Sequence, residues 1–373
     1  MTLHVGVNML WCVPGAVGGS EQYLVRQLEG VRSVADRGRL DVSVFATSEF
    51  NRIHAPALAG TRLVNGPGDS RRRAARVLHE STWLYRRTGG VDVVHHGGGT
   101  APGLSRHPYV LTVHDVQYRS FPQYFSRLKL AYLNTAMPRS ARRARVVTVP
   151  SNYVKGTVVD AFGVDPARVV VVPHGYEPAL LRERTPAAEL RQRYGLGDGP
   201  VVVYPAMTAP HKNHRFLIEL MQRSWTDPAL RLVLIGGTGL ADDAVTSAIA
   251  AAGPAVERRI VRAGRVSDAD RNGLLAMAAA LVFPSEYEGF GAPLIEAMAL
   301  GTPVVCSDAT CLPEVAGNAA IVCPLDLDAW ADALDQVVQR RTELVAAGIE
   351  RVAAYTARRS GQALLGAYEL AAS

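Results

Sequence analysis

The sequence predicts an α/β protein built from two doubly wound, parallel-sheet domains. Three observations carry that reading. Short runs rich in Val, Ile and Leu are near-continuously apolar instead of alternating, as strands buried on both faces require. Helical patterns separate these runs, and the strand–helix succession occurs in both halves of the chain. The length of 373 residues suits two domains of roughly 100–200 residues each.

Residues 3–8 open the chain as a strand, and Gly18-Gly19 makes a turn. Ser20 is placed to cap a helix starting near Glu21, with Tyr23, Leu24, Gln27 and Leu28 at helical spacing. Strands at 42–46, 91–95, 109–113, 146–149 and 169–172 complete the first half. Residues 177–200, with their prolines and glycines, read as a linker carrying a short helix at 187–193. The second half gives strands at 201–204, 231–235, 260–263, 280–283 and 303–306. Residues 329–339 and 342–370 read as helical with no strand between them. The expected domains are 1–180 and 181–350, with 351–373 a helix crossing back to the first.

Hydrophobic residues at 48% and charged residues at 20% give a globular composition, neither disordered nor fibrous. The net charge of +6 rests on 37 Arg against 3 Lys. GC-rich coding bias accounts for that imbalance; a surface for anionic lipid or phosphates is the other reading. No nucleic-acid-binding signature is present, so no nucleic-acid partner is expected. Cys12, Cys306, Cys311 and Cys323 form no CxxC and read as reduced thiols. The N-terminus lacks the pattern of a signal peptide, and no apolar run reaches the roughly 18 residues of a membrane span. These features point to a cytoplasmic protein, with peripheral contact at the inner membrane face as a further option.

The densest chemical signal is residues 284–305, PSEYEGFGAPLIEAMALGTPVV. A strand ends at Phe283, a glycine-bearing loop follows, and a helix starts near Pro293, where a first-turn proline is tolerated. The free N–H groups and positive dipole end of such a helix suit a phosphate. Two carboxylates there would repel a diphosphate unless they face hydroxyl groups. Glu288, before the helix, and Glu296, within it, therefore suggest sugar and ribose hydroxyls as partners. An ordinary α/β loop with two stray glutamates remains the alternative on residue types alone. A second signal is Pro210-His211-Lys212-Asn213, which holds the only lysine after residue 155. An ammonium point charge suits a diphosphate. A third is His114-Asp115, at the carboxyl end of a strand, where open α/β sheets place ligands. His114 reads as an active-site residue or a hydrogen-bonded structural one; Asp115 lines the site or anchors its loop.

The run EGFG-x-P-x-x-EAMA-x-G-x-PVV, with VRAGRVSD at 261–268 and LPEV at 312–315, resembles the nucleotide-sugar motif of the retaining GT-B glycosyltransferases of family 4. The resemblance spans nearly the whole chain and is most specific over 261–315. It implies a GT-B fold, two Rossmann-like domains facing across a cleft, the first for acceptor and the second for donor. It implies Glu288 as a catalytic residue on the donor sugar's hydroxyls. Gly289, Phe290 and Gly291 would offer backbone N–H groups to sugar and phosphate, in a donor-binding run that includes Leu294. Glu296 would take the ribose hydroxyls, and Val266 would lie against the base. The PHKN segment resembles the family's RKN or RKG, whose lysine binds the diphosphate. His211 replaces a usual arginine, and Ala206 and Met207 stand where many members carry another, so phosphate binding leans on Lys212 and helix N-termini. Gly18-Gly19 with Glu21 resembles the GGxE turn that approaches diphosphate and acceptor, an approach glycine permits. His114-Asp115, with Pro122 and Phe125 downstream, resembles the HD of the mannosyltransferase-like branch, where the histidine faces the donor sugar.

His95 and His96, before Gly97-Gly98-Gly99, are expected at the acceptor side together with Asp115. No third ligand has suitable spacing to these histidines, so no metal is expected. Asp326-Leu327-Asp328 mimics a DxD metal motif but reads as a helix cap. Arg71, Arg72, Arg73, Arg76, Arg86 and Arg87 flank Val77, Leu78, Trp83, Leu84 and Tyr85; Arg139, Arg142, Arg143 and Arg145 form a second run. Either run is a face for an anionic bilayer or a solvated surface. The implied activity is retaining transfer of a sugar from a nucleotide-diphosphate donor to the hydroxyl of a glycan, lipid-linked or small-molecule acceptor. GDP-mannose is favoured as donor, a UDP-sugar next, and no cofactor beyond the donor is expected. The alternatives are a catalytically weak sugar-nucleotide-binding subunit and a GT-B nucleotide-sugar epimerase. A nicotinamide enzyme is disfavoured, because Asp242 breaks the glycine fingerprint begun at Gly236-Gly237-Thr238-Gly239.

Overall fold

The computed structural model describes residues 2–15, 18–35, 38–68 and 72–373. The chain divides into two compact units, Met1–Gly175 with Tyr355–Ser373, and Tyr176–Ala354.

Among its described residues the first unit holds seven parallel strands: β1 (Leu3–Asn8), β2 (Leu40–Ala46), β3 (Arg62–Asn65), β4 (Val93–His96), β5 (Tyr109–Thr112), β6 (Val146–Val149) and β7 (Val169–Val171). Their order is β3-β2-β1-β4-β5-β6-β7, so the winding reverses between β1 and β4. One core packs Val5, Val7 and Val44 against Tyr23, Leu24 and Leu28 of the helix Gly19–Val34, and against Leu364 and Tyr368 of the helix Ala357–Ala372. These two helices touch at glycines: a Cβ on Gly30 would collide with the Ala357 carbonyl, and one on Gly361 with the Gly30 backbone. A second core joins Leu111, Val113, Val147 and Val149 to Met137 and Ala141 of the helix Arg127–Arg143 and Val154 and Val158 of the helix Asn152–Phe162.

The second unit holds six parallel strands: β8 (Val201–Pro205), β9 (Arg231–Ile235), β10 (Ile260–Gly264), β11 (Ala280–Phe283), β12 (Val304–Ser307) and β13 (Ala320–Cys323). Their order is β10-β9-β8-β11-β12-β13, with the reversal between β8 and β11. Such reversals open a crevice at the carboxyl ends of the flanking strands.

Several details differ from the sequence reading. The short strands β3 and β13 were not expected. The first helix starts at Gly19 with Gly18 as its cap residue, so Ser20 lies inside it and caps nothing. The expected helix at 342–370 is two helices, Ala333–Val352 and Ala357–Ala372. The second is capped by Thr356, whose Oγ1 accepts from the Arg359 N–H at 3.2 Å. The chain passes from one unit to the other at that break. Arg71 lies outside the described residues. Of its basic neighbourhood, Trp83 packs edge-on against Phe45 and Leu84 is buried, while Leu78 is exposed. Among the described residues, no helix is long and apolar enough to cross a membrane.

Candidate active site

In the second unit, the loops after β8 and β11 leave the sheet on either side of the reversal. Lys212 comes from the first and Glu288 from the second. Lys212 Nζ meets Glu288 Oε1 at 2.5 Å, with both side chains largely buried. The sequence reading thus named two residues, 76 positions apart, that the fold joins as an ion pair.

A hydrogen-bonded frame holds the two loops. The Tyr204 hydroxyl donates to the Lys212 carbonyl at 2.6 Å and lies 3.1 Å from Ser285 Oγ. Burial pushes the Tyr204 phenol up, so it keeps its proton. With that proton on Lys212, Ser285 Oγ is the donor to Tyr204. Ser307 Oγ donates to the Ser285 carbonyl at 2.6 Å, and the Glu286 N–H to the His211 carbonyl at 2.8 Å. Burial and the Lys212 charge lower His211 to about 4, so it adds no cation beside Lys212 at neutral pH.

Gly291 caps the helix Ala292–Ala299 at φ 87°, a left-handed conformation that glycine adopts without strain. Glu296 lies in that helix and is buried. Phe290 is buried too, so only its backbone can serve a ligand. The Leu294 side chain is fully buried, packing the helix, and its N–H donates to the Gly291 carbonyl. Val266, half-buried, follows β10 on a loop separate from those of Lys212 and Glu288. Asp326 Oδ1 accepts from the Asp328 and Ala329 N–H groups at 3.1 Å each, which makes it a helix cap.

In the first unit, Gly18 has φ 65° and opens the helix Gly19–Val34, and Gly19 is its first residue. Glu21 is buried, accepts from the Gly15 N–H and bonds His54 Nε2 at 2.7 Å. It ties the turn to the body of the unit. His114, just past β5, places Nε2 2.9 Å from the Gly97 carbonyl. A carbonyl only accepts, so Nε2 carries the proton and Nδ1 is left as an acceptor. Burial lowers the His114 pKa to about 4, with the Gly97 bond opposing. Its ring meets Trp11 at 5.9 Å and Tyr23 edge-on at 5.4 Å, and Tyr23 stacks on His174 at 4.1 Å. Asp115 Oδ1 accepts from the Gln117 N–H at 2.9 Å, which anchors the loop.

The two histidines expected at the acceptor side are both buried. His95 is fully buried, with Nδ1 2.8 Å from the Tyr368 hydroxyl and Nε2 2.7 Å from Thr112 Oγ1. Both ring nitrogens are engaged, so it ties β4 to β5 and to the helix Ala357–Ala372. His96 is also buried, 3.2 Å from Asn8 Nδ2. Burial lowers both to about 3, so both rings are neutral.

Sequence reasoning missed the ring cluster of Trp11, Tyr23 and His174 and the frame of Tyr204, Ser285 and Ser307. His174 follows Pro173 just past β7, and Tyr204 lies at the end of β8. Position at a strand's carboxyl end was the one available signal.

Known proteins resemble both units. The model of "Glycosyltransferase Family 4" matches residues 17–180, and that of "Glycosyl transferases group 1" matches 199–340. O-antigen chain mannosyltransferase B of Escherichia coli is 30% identical over 271 residues, 71% of this chain and 70% of the relative. O-antigen chain mannosyltransferase RfbU of Salmonella typhimurium strain LT2 is 26% identical over 328 residues, 86% and 87% of the two chains. Anabaena Alr3699/HepE, solved in complex with UDP and glucose, matches at TM-score 0.75 and 19% identity over 98% of each chain. At that identity the structural likeness speaks for the fold.

Proposed function

The chain belongs to glycosyltransferase family 4, and on that premise we propose that it moves mannose from GDP-mannose to an acceptor hydroxyl, with retention at the sugar carbon. That it is a hexosyltransferase follows from its family and relatives; donor, stereochemistry and residue roles are the proposal. The carrying observation is the Lys212–Glu288 pair at the β8/β11 reversal. Lys212 exchanges Glu288 for the donor diphosphate, and the freed Glu288 carboxylate accepts from sugar hydroxyls. The start of the helix after Gly291 adds N–H groups and dipole to the phosphate. Glu296 takes the ribose hydroxyls and Val266 lies by the base. The names of the mannosyltransferase relatives support mannose as the sugar.

In the reaction, the bond from the sugar carbon to the leaving phosphate oxygen breaks. The bond to the acceptor oxygen forms on the same face, and the acceptor proton passes to the leaving phosphate. Lys212 stabilises the charge that develops there. His114, neutral and with Nδ1 unprotonated, accepts from a sugar hydroxyl and transfers no proton. Transfer is metal-independent, with the diphosphate charge met by Lys212 and the helix start. All four cysteines are buried free thiols, which supports the reading of a cytoplasmic setting.

The test is a melting-temperature screen of GDP, UDP and their sugars, followed by a transfer assay with excess chelator. A ligand that binds the native state raises the melting temperature. GDP and GDP-mannose are expected to give the largest rise, and activity is expected to survive chelation. No rise with any nucleoside diphosphate would refute the reading.

A second reading, contact with an anionic membrane, is favoured by one feature of the first unit. A hollow of about 620 Å³ where β5, β6 and β7 begin is lined by Arg142, Arg143, Arg145 and Arg168. Arg143 and Arg168 spend donors on the Gly103 and Arg142 carbonyls, but no carboxylate lines the hollow among the described residues. Co-sedimentation with phosphatidylglycerol vesicles, absent with neutral ones, is the expected result.

A further inference from the structure

Glu288 sits in an irregular loop between β11 and the helix Ala292–Ala299. A loop carboxylate holds a productive geometry only if its backbone is fixed, and each backbone polar group needs a partner. Both polar groups of Glu288 find theirs in two consecutive residues. Its N–H donates to Thr310 Oγ1 at 3.1 Å, and its carbonyl accepts from Cys311 Sγ at 3.2 Å.

Thr310 accepts its bond from an unfavourable conformation. Its φ is 56°, in the left-handed region, where a β-branched residue is a genuine outlier. Among the described residues only one other non-glycine has positive φ: Asn213, at 54°. Asn213 directly follows Lys212. The two left-handed non-glycine residues thus adjoin, one by sequence and one by hydrogen bond, the two members of one ion pair. Strain of this kind persists where surrounding structure enforces it, and it concentrates at functional sites.

The segment after β12 is well anchored to act as a clamp. Ser307 Oγ bonds the Ser285 carbonyl at its start. At its end, a Cβ on Gly291 would come within 2.7 Å of Leu312 Cδ2, so the two segments are in close contact. Cys311 is fully buried, and burial holds its thiol protonated, as a donor must be.

We propose that Thr310 and Cys311 are positioning residues that grip Glu288 by its own N–H and carbonyl and thereby fix its carboxylate for the donor sugar. Neither touches the donor; each acts through Glu288. The proposal rests on the glycosyl-transfer reading for its kinetic consequence, but the grip itself is testable without it.

The experiment compares Thr310→Ala, Thr310→Gly and Thr310→Ser, with Cys311→Ala and Cys311→Ser, in the full chain. Turnover with GDP-mannose is expected to fall roughly 10- to 100-fold in the Ala and Gly variants, because small misplacements of a reacting group are costly. GDP affinity stays within about threefold, which puts the loss in kcat. Thr310→Ser keeps the hydroxyl acceptor and Cys311→Ser puts a hydroxyl donor in place of the thiol, so both are expected to retain most turnover. Thr310→Gly relieves the backbone strain, so its melting temperature is not expected to fall even as turnover does. In parallel, hydrogen–deuterium exchange of a peptide spanning 286–290 speeds up in Thr310→Ala but not in Thr310→Ser. Wild-type kcat in Thr310→Ala and Thr310→Gly, or equal impairment of the Ser variants, would overturn the proposal. If the wild type transfers from no donor, the functional reading fails separately, and unchanged exchange in Thr310→Ala would still refute the grip.

Discussion

Beyond the carboxyl ends of β1, β5 and β7 the first unit gathers neutral rings; beyond those of β8 and β11 the second gathers charges. Trp11, Tyr23, His114 and His174 meet ring to ring, and burial lowers both histidines. Lys212 and Glu288 meet as an ion pair. The same winding thus supports two chemistries, because topology fixes where the loops converge and the residues on them fix what they bind. A site lined by neutral rings suits the apolar faces and hydroxyls of a carbohydrate. A lysine and a carboxylate on opposed loops suit a substrate that is anionic at one end and hydroxylated at the other.

The sharpest way to break that contrast is Glu288→Gln. It preserves shape and removes the charge that accepts from sugar hydroxyls. Turnover is expected to fall roughly 100- to 1,000-fold, the range seen when an electrostatic stabiliser is removed. Nucleoside diphosphate affinity is expected to hold or rise, since Lys212 loses its internal partner. A loss of nucleotide binding in this variant would move Glu288 to the wrong end of the donor.

The neutral side responds to packing. Gly97 leaves no room for a Cβ, which would collide with Leu24, and its carbonyl accepts the hydrogen bond from His114 Nε2–H. Gly97→Ala is expected to destabilise the fold by about 1–3 kcal/mol and to lower turnover by disturbing His114. Urea denaturation and a transfer assay read the two effects. Wild-type behaviour in both would remove Gly97 from the account.

Acid tests the neutrality itself. The folded pKa values of His95 and His96, about 3, lie below the ordinary value near 6.5. As pH falls below 6.5 the unfolded chain takes up protons first, so stability present at neutral pH drains away toward pH 3. Each ring is expected to cost about 2 kcal/mol by pH 5. Denaturation midpoints at pH 7 and pH 5 check this, and a flat profile would contradict the burial of these rings. With His114 near 4, kcat is expected to show no histidine step between pH 5.5 and 8.

The smallest effect concerns Asp326. As a helix cap it is expected to cost about 1 kcal/mol on replacement by Ala, with turnover unchanged. Lost activity in Asp326→Ala, restored by manganese, would make it a metal ligand instead.

The charged site was far more legible in the sequence than the neutral one. Glu288, Gly291 and Glu296 lie within nine residues, in a strand–loop–helix context whose chemistry follows from the helix start. Lys212 stood out because the chain otherwise uses arginine. His95 gave the opposite lesson. Its partner Tyr368 is 273 residues away, so nothing local distinguishes a sealed histidine from a lining one. Strands such as β6, all valine and threonine, were read to the residue. β3, Arg-Leu-Val-Asn, is a polar-ended edge strand with too short an apolar signal. The left-handed Thr310 contradicts its own residue preference, so only the backbone reveals it.

Calorimetric titration of Lys212→Ala tests the central claim, that this lysine is the diphosphate anchor of the second unit. Three ligands are compared on wild type and variant: GDP, guanosine and GDP-mannose. GDP and GDP-mannose are expected to weaken together by about 1.5–3 kcal/mol, the worth of a hydrogen bond to a charged group, while guanosine binds as before. Unchanged GDP affinity, or an equal loss for guanosine, would contradict the assignment.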